Sequence, residues 1–184
     1  MNVLDFVLKI DKVIPDDVCD QFVNFFETCG MTEDYHNDGY PHWTELNISY
    51  HNPHLNKKVH TLSRIVHQRY REYIAPYGSY FSTGPDLVRY EPTNMKRYVE
   101  NSDDRYDMHA DVATLATAER FIAFVYYLND DFEGGETVFY PQCTVTPKKG
   151  SVLVFPPYWV LPHQGNPVKK GKKYIMSTYA LWDD

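Results

Sequence analysis

No stretch of this 184-residue chain approaches the length needed to cross a bilayer. The N-terminal run MNVLDFVLKIDKVI is broken by Asp5, Lys9, Asp11 and Lys12, so it lacks the apolar centre of a secretory leader. Cysteine is sparse: Cys19, Cys29 and Cys143 form no C-x-x-C pair. That argues against a disulfide framework and against cysteine-ligated metal, and it fits a reducing compartment. The expected location is cytoplasmic, with no membrane partner. Excess positive charge is missing too. The net charge of −7 gives nucleic acid and anionic lipid no overall attraction to the chain. Internal repeats and dividing linkers are absent, so 1–184 reads as a single domain. Oligomeric state is left open.

Aromatic residues, by contrast, are plentiful, at 16% with sixteen tyrosines. They suit broad β-surfaces around a cavity, since tyrosine joins apolar bulk to a polar tip. Residues 3–14 alternate like a strand. Pro15 and Asp16 open an amphipathic helix marked by Val18, Phe22, Phe25 and Phe26 and closed by Gly30. Polar residues 30–42 read as a mobile loop and 43–50 as a strand. A second helix is expected over about 53–75, with Leu55, Val59, Leu62, Val66 and Tyr73 as its stripe. Beyond Pro76 and Gly78 come short apolar runs separated by turns: 86–91, 105–112, 119–129, 136–140, 151–155, 158–164 and 172–182. The expected fold is mainly β with some α. A helical support region (1–83) packs on one sheet of a double-stranded β-helix, or jelly-roll, core (84–182).

Within that core, H-A-D places His109 and Asp111 two residues apart, hence side by side on one strand face, roughly 6.6 Å apart along the chain. His163 follows on another expected strand, and Lys173 ten residues after it. Two histidines and one carboxylate hold ferrous iron on one face and leave the other open. The same set can serve catalytic zinc, but both histidines on one helix, the usual zinc-protease spacing, is absent. H-x-D alone is a common accident. His163 and a following basic residue are what raise it to a candidate site. The other six histidines sit in expected loops or helices without partners. If Lys173 points inward with Ile175 and Ser177, its charge needs a carboxylate there, which a dicarboxylate co-substrate would supply.

Several further runs accompany these residues. Tyr106–Asp111 reads Y-D-M-H-A-D, Arg120–Asn129 reads R-F-I-A-F-V-Y-Y-L-N, and Gly134–Thr137 reads G-G-E-T. His163 precedes Pro167, Val168, Gly171, Lys173 and Tyr174. Together, over about 84–182, they resemble the prolyl 4-hydroxylase branch of the 2-oxoglutarate/Fe(II) dioxygenases. The resemblance implies that His109, Asp111 and His163 ligate iron and that Lys173 pairs with the distal carboxylate of 2-oxoglutarate. Tyr127 would join that carboxylate, Thr137 would add a polar contact, and Tyr106 and Tyr90 would line the cavity. Arg120 and Tyr179 are the expected substrate contacts. Tyr179 and Leu181 stand where related hydroxylases often carry tryptophan and histidine, which leaves proline less firmly indicated as the target.

The activity implied is oxidative decarboxylation of 2-oxoglutarate by O2, giving succinate and CO2. It is coupled to hydroxylation of an aliphatic C–H, foremost a peptidyl proline, with ascorbate as reductant. Asp111 favours hydroxylation over halogenation, since halogenases of this type lack the carboxylate. The polar run 92–105 is a candidate lid. Two alternatives remain: the same chemistry on a free amino acid or small metabolite, and a non-catalytic jelly-roll binding or structural module.

Overall fold

The computed structural model describes residues 2–36, 42–78, 88–140 and 143–182. Parts of two expectations, the turn at 37–41 and positions 86–87 of a strand, lie outside the described residues. Strand β1 (Leu8–Ile10) precedes helix α1 (Asp16–Thr28); β2 (Glu33–His36) and β3 (His42–Asn47) pair antiparallel. A short α2 (Ile48–His51) leads into α3 (Pro53–Ile74), which starts on the Asn52 side-chain cap with proline at its first position. Then follow β4 (Arg89–Tyr90), β5 (Asn94–Val99), β6 (Tyr106–His109), β7 (Arg120–Tyr127), β8 (Glu133–Gly134) and β9 (Thr137–Phe139). The chain continues with β10 (Cys143–Val145), β11 (Val152–Phe155), β12 (His163–Gly165), β13 (Val168–Lys170) and β14 (Lys172–Leu181).

The large sheet runs β1-β11-β7-β14-β5-β3-β2, with β4 also on β14, and the small one runs β10-β9-β12-β6. This is the jelly-roll expected. Strand β7 is apolar on both faces because both faces are covered. Tyr126 and Phe124 turn toward α3, where the Tyr126 hydroxyl meets Ser63 Oγ at 2.8 Å and the Phe124 ring lies 6.4 Å from His67. Val125 and Tyr127 turn inward, between the sheets. Helix α1 covers the same outer face further along. Phe26 packs edge-on against Tyr174, and Glu27 accepts from the Tyr174 hydroxyl (2.7 Å) and from Arg97 Nη1 (2.9 Å). One carboxylate thus ties the backs of β14 and β5 together.

Four expectations are corrected. Residues 3–14 are not one strand: Asn2 caps a 3-10 turn over Val3–Phe6, leaving three residues for β1. Part of the expected 30–42 loop pairs as β2, with Tyr35 stacked on Trp43 at 4.7 Å. Of 158–164 only the end is strand, since Leu161 N–H closes a turn onto the Tyr158 carbonyl. The candidate lid at 92–105 contains β5, an interior strand of the large sheet between β14 and β3. Its alternation is disguised because charged residues sit on both faces, Arg97 toward α1 and Lys96 toward the cavity.

Candidate active site

The triad forms where the small sheet brings two strands together. His163 on β12 is the register partner of His109 on β6. Asp111 lies two residues on, past the end of β6 rather than on it as expected; Arg120 Nη1 holds its carbonyl at 3.1 Å. The carboxylate still reaches both rings: Oδ1 lies 3.0 Å from His109 Nε2 and Oδ2 3.6 Å from His163 Nε2. All three donor atoms fall within 4.8 Å of one another. Among the described residues this is the only such group of three histidine, cysteine or carboxylate side chains.

Tautomers follow from the partners. His109 Nδ1 lies 2.7 Å from the Asp107 carbonyl and His163 Nδ1 lies 3.2 Å from the Leu161 carbonyl. A carbonyl only accepts, so each Nδ1 carries the hydrogen and each Nε2 presents a lone pair. Two such lone pairs therefore converge on a carboxylate, an arrangement that repels unless a cation sits between them. Burial pushes the Asp111 carboxyl up, but the His109 and His163 rings beside it and the Lys96 ammonium outweigh it and leave it below its ordinary value. Burial, opposed by Asp111, lowers His163 and keeps it neutral, as ligation requires. The donor set fits Fe(II), with one face left open.

Beyond the triad, the same inner pocket is lined by Tyr106, Val125, Thr137, Lys173, Ile175, Ser177 and Tyr179. Of Lys172 and Lys173, whose phase the alternation leaves open, Lys173 is the one that points inward. Lys173 is 4% exposed, and its ammonium donates to the Gly135 carbonyl at 2.7 Å. Burial lowers it to about 8, with the Glu136 charge pulling the other way. Among the described residues no carboxylate pairs with it, so the pocket offers a buried cation in want of an anion. Tyr98 and Tyr127 flank it, ring centroids 5.4 and 5.8 Å from Nζ. Tyr127 is kept neutral by burial, and its hydroxyl meets Thr137 Oγ1 at 2.8 Å.

Asn129 sets the start of β14 by donating to the Lys172 carbonyl and accepting from Tyr174 N–H, bracketing Lys173. Gly135, at φ +68°, comes so close that a Cβ would lie 2.9 Å from Phe132 and 3.1 Å from the Lys173 stem. Both residues lie in runs that carry the resemblance, yet nothing local in the sequence marks either for this task. Lys96 and Tyr98, which β5 also delivers into the pocket, carry no such mark either, because M-K-R-Y does not alternate between apolar and polar.

Other expected residues fare unequally. Tyr106 lies against His109, ring centroids 3.5 Å apart, and is a wall of the pocket. Arg120 and Tyr179 line an outer cleft of about 390 Å³ together with Tyr35, Trp43, Glu45, Glu91 and Lys96. Arg120 already grips Glu91 through two bonds of 2.6 and 2.8 Å and stacks 4.0 Å over Tyr179, so much of its donor capacity is used internally. Tyr90 does not line the cavity. It lies on the other face, against His60 and Phe124, because its neighbour Glu91 takes the inward phase of the chain.

Comparison with known proteins accords with this geometry. Residues 93–181, which hold every ligand candidate and Lys173, match the model of the 2OG-Fe(II) oxygenase superfamily. The chain is 32% identical over 124 residues to a probable prolyl 4-hydroxylase 9 of Arabidopsis thaliana, a match covering 51% of this chain. It spans only 42% of that relative's length. Among solved structures, a Pseudomonas putida prolyl-4-hydroxylase superposes with TM-score 0.72 at 15% identity, covering 96% of this chain and 92% of that one. A Trichoplax adhaerens prolyl hydroxylase in complex with a hypoxia inducible factor peptide gives 0.73 at 15%, covering 96% and 84%. The viral collagen prolyl hydroxylase of Paramecium bursaria Chlorella virus-1, solved with 2OG, gives 0.64 at 21%, covering 97% of both. At such identities the structures speak for the fold. Residues 93–181 are thus similar to the 2OG-Fe(II) oxygenase superfamily, and the chain shares its fold with prolyl hydroxylases. That family implies Fe(II), 2-oxoglutarate and O2. Among the described residues no helix is long and apolar enough to cross a membrane.

Proposed function

We propose that this chain is a 2-oxoglutarate- and Fe(II)-dependent dioxygenase that hydroxylates an aliphatic C–H, with a peptidyl proline as its substrate. The observation that carries the proposal is the pairing of a convergent His-Asp-His set with a buried, carboxylate-free lysine in one pocket. His109, Asp111 and His163 would hold the iron, and Lys173, with the Tyr127 and Thr137 hydroxyls, the distal carboxylate of 2-oxoglutarate. Iron so placed, with 2-oxoglutarate and O2, supplies oxidative decarboxylation coupled to C–H hydroxylation, releasing succinate and CO2.

The chain's own part is positioning. The carbonyls of Asp107 and Leu161 fix the imidazole tautomers, Arg120 fixes the Asp111 backbone, Asn129 fixes the backbone on either side of Lys173, and the Gly135 carbonyl fixes its ammonium. Tyr106, Val125 and Ile175 wall the pocket against water. The open cleft of Tyr35, Trp43, Glu91, Arg120 and Tyr179 is where a peptide would lie. Among structural neighbours, the Trichoplax protein was solved with a peptide, which supports a peptide here. Strands β1 (Leu8–Ile10), β2 (Glu33–His36) and β3 (His42–Asn47) complete the large sheet, which supports reading 1–184 as one domain. Ascorbate as reductant and a reducing, cytoplasmic setting complete the proposal, the latter supported by three unpaired cysteines.

The test is incubation with Fe(II), 2-oxoglutarate, ascorbate and proline-containing peptides, measuring succinate and a one-oxygen gain in peptide mass. Both should appear and be lost in Asp111→Ala. No succinate with any substrate pool, and no difference for Asp111→Ala, would leave the non-catalytic binding module as the reading.

A further inference from the structure

Lys96 has no task in the reading so far. Strand alternation turns it inward, two residues from Tyr98, where it borders both the inner pocket with the triad and the outer cleft. Its ammonium lies 4.1 Å over the Trp43 ring and 5.3 Å from that of Tyr106. Among the described residues it makes no hydrogen bond and no ion pair. Aromatic faces attract a cation without using its three N–H donors. The side chain is half-buried at the mouth of the outer cleft, so its donors are free to meet whatever enters there, and an anion from outside would pair with them. Burial lowers Lys96 while Asp111 and Glu45 raise it. A metal ion on Asp111 would consume the first of those charges and sharpen the need for an anion. Lys173 meets the matching need at the inner end of the pocket, so Lys96 faces the substrate side.

We propose that Lys96 is a specificity-determining residue that binds a carboxylate of the substrate, held close to the carbon that reacts. The substrate would then be an acidic one: a proline bearing its own terminal carboxylate, or a peptide with an acidic residue beside the target. This inference rests on the dioxygenase reading, and the experiment separates the two.

Protein loaded with Mn(II) and 2-oxoglutarate is titrated with isosteric pairs, followed by tryptophan fluorescence (Trp43 lies beneath the ammonium) and by calorimetry. One pair is N-acetyl-L-proline and N-acetyl-L-prolinamide; the other is N-acetyl-aspartyl-prolinamide and N-acetyl-asparaginyl-prolinamide. In at least one pair the acid should bind about tenfold tighter, as a charge-assisted bond to a half-buried ammonium gives. The favoured pair identifies the source of the carboxylate. Lys96→Met should erase the preference and Lys96→Arg restore part of it, with 2-oxoglutarate affinity unchanged in both. Equal binding of acid and amide, binding of neither pair, or a preference that survives Lys96→Met overturns the proposal. So does a matching loss of 2-oxoglutarate affinity in Lys96→Met, which would make Lys96 a co-substrate contact. If the wild-type protein fails to bind 2-oxoglutarate at all, the dioxygenase reading itself is what has failed.

Discussion

Lys173→Met probes the co-substrate pocket, because the same charge that would bind 2-oxoglutarate burdens the empty protein. Burial brings the lysine from 10.5 to about 8, a penalty on the charged form of about 3 kcal/mol. Below about pH 8 the native state carries that penalty in full. Between about 8 and 10.5 the unfolded chain binds the extra proton, so ligand-free stability rises with pH across that window. Methionine removes the penalty at neutral pH and forfeits only the bond to the Gly135 carbonyl, worth about 1 kcal/mol. The variant should therefore melt no lower than wild type at pH 7, and higher by up to about 2 kcal/mol. Binding should move the opposite way. Losing one partner of a buried charge pair costs about 3–5 kcal/mol, roughly two to four orders of magnitude in affinity. Calorimetry of 2-oxoglutarate against Mn(II)-loaded protein measures it. Wild-type binding should take up protons near pH 8.5, seen by comparing buffers of different ionisation enthalpy, and weaken as pH rises; the variant should show neither. A Lys173→Met protein that binds 2-oxoglutarate within about threefold of wild type, or wild-type affinity flat between pH 7 and 9.5, would refute the assignment.

Other outcomes follow from single contacts. Asp111→Asn should fold and melt near wild type without metal but lose most of the Mn(II)-dependent stabilisation, about 2.7 kcal/mol for wild type at a hundredfold excess over the dissociation constant; thermal melts with and without Mn(II) check this. Gly135→Ala forces a Cβ against Phe132 and the Lys173 stem at φ +68°. It should cost about 1–3 kcal/mol of stability and raise the KM for 2-oxoglutarate, measured by succinate release; an unchanged KM would show that the ammonium does not depend on that close approach. Tyr126→Phe removes the bond to Ser63 and should lower stability by about 1 kcal/mol in urea melts, leaving 2-oxoglutarate affinity as it was.

The residues that could be read from sequence share a property: their signal is local or compositional. Arg120–Tyr127 announces itself as a doubly covered strand, and α3 carries its own cap and stripe. The spacing of His109 and Asp111, with His163 and a lysine further on, marks a candidate site in the sequence, and the three donor atoms of that triad do converge. What stayed hidden depends on partners distant in sequence. Strand β5 looks like a polar loop because Arg97 answers Glu27 on α1 and Lys96 answers two aromatic rings. Asp111 was expected on the strand, yet it sits past its end, held there by Arg120. Tyr90 was assigned to the wrong face because a two-residue strand gives too short a run to fix its phase; Glu91 fixes it by reaching Arg120.

Glu27 touches nothing in the cleft, yet it anchors Tyr174 and Arg97, the immediate neighbours of Lys173 on one side and of Lys96 and Tyr98 on the other. In a survey of variants, a lesion at this helix position would therefore pass for an active-site defect. Compensating changes for it should surface on the remote side of the large sheet, where no inhibitor or substrate ever arrives.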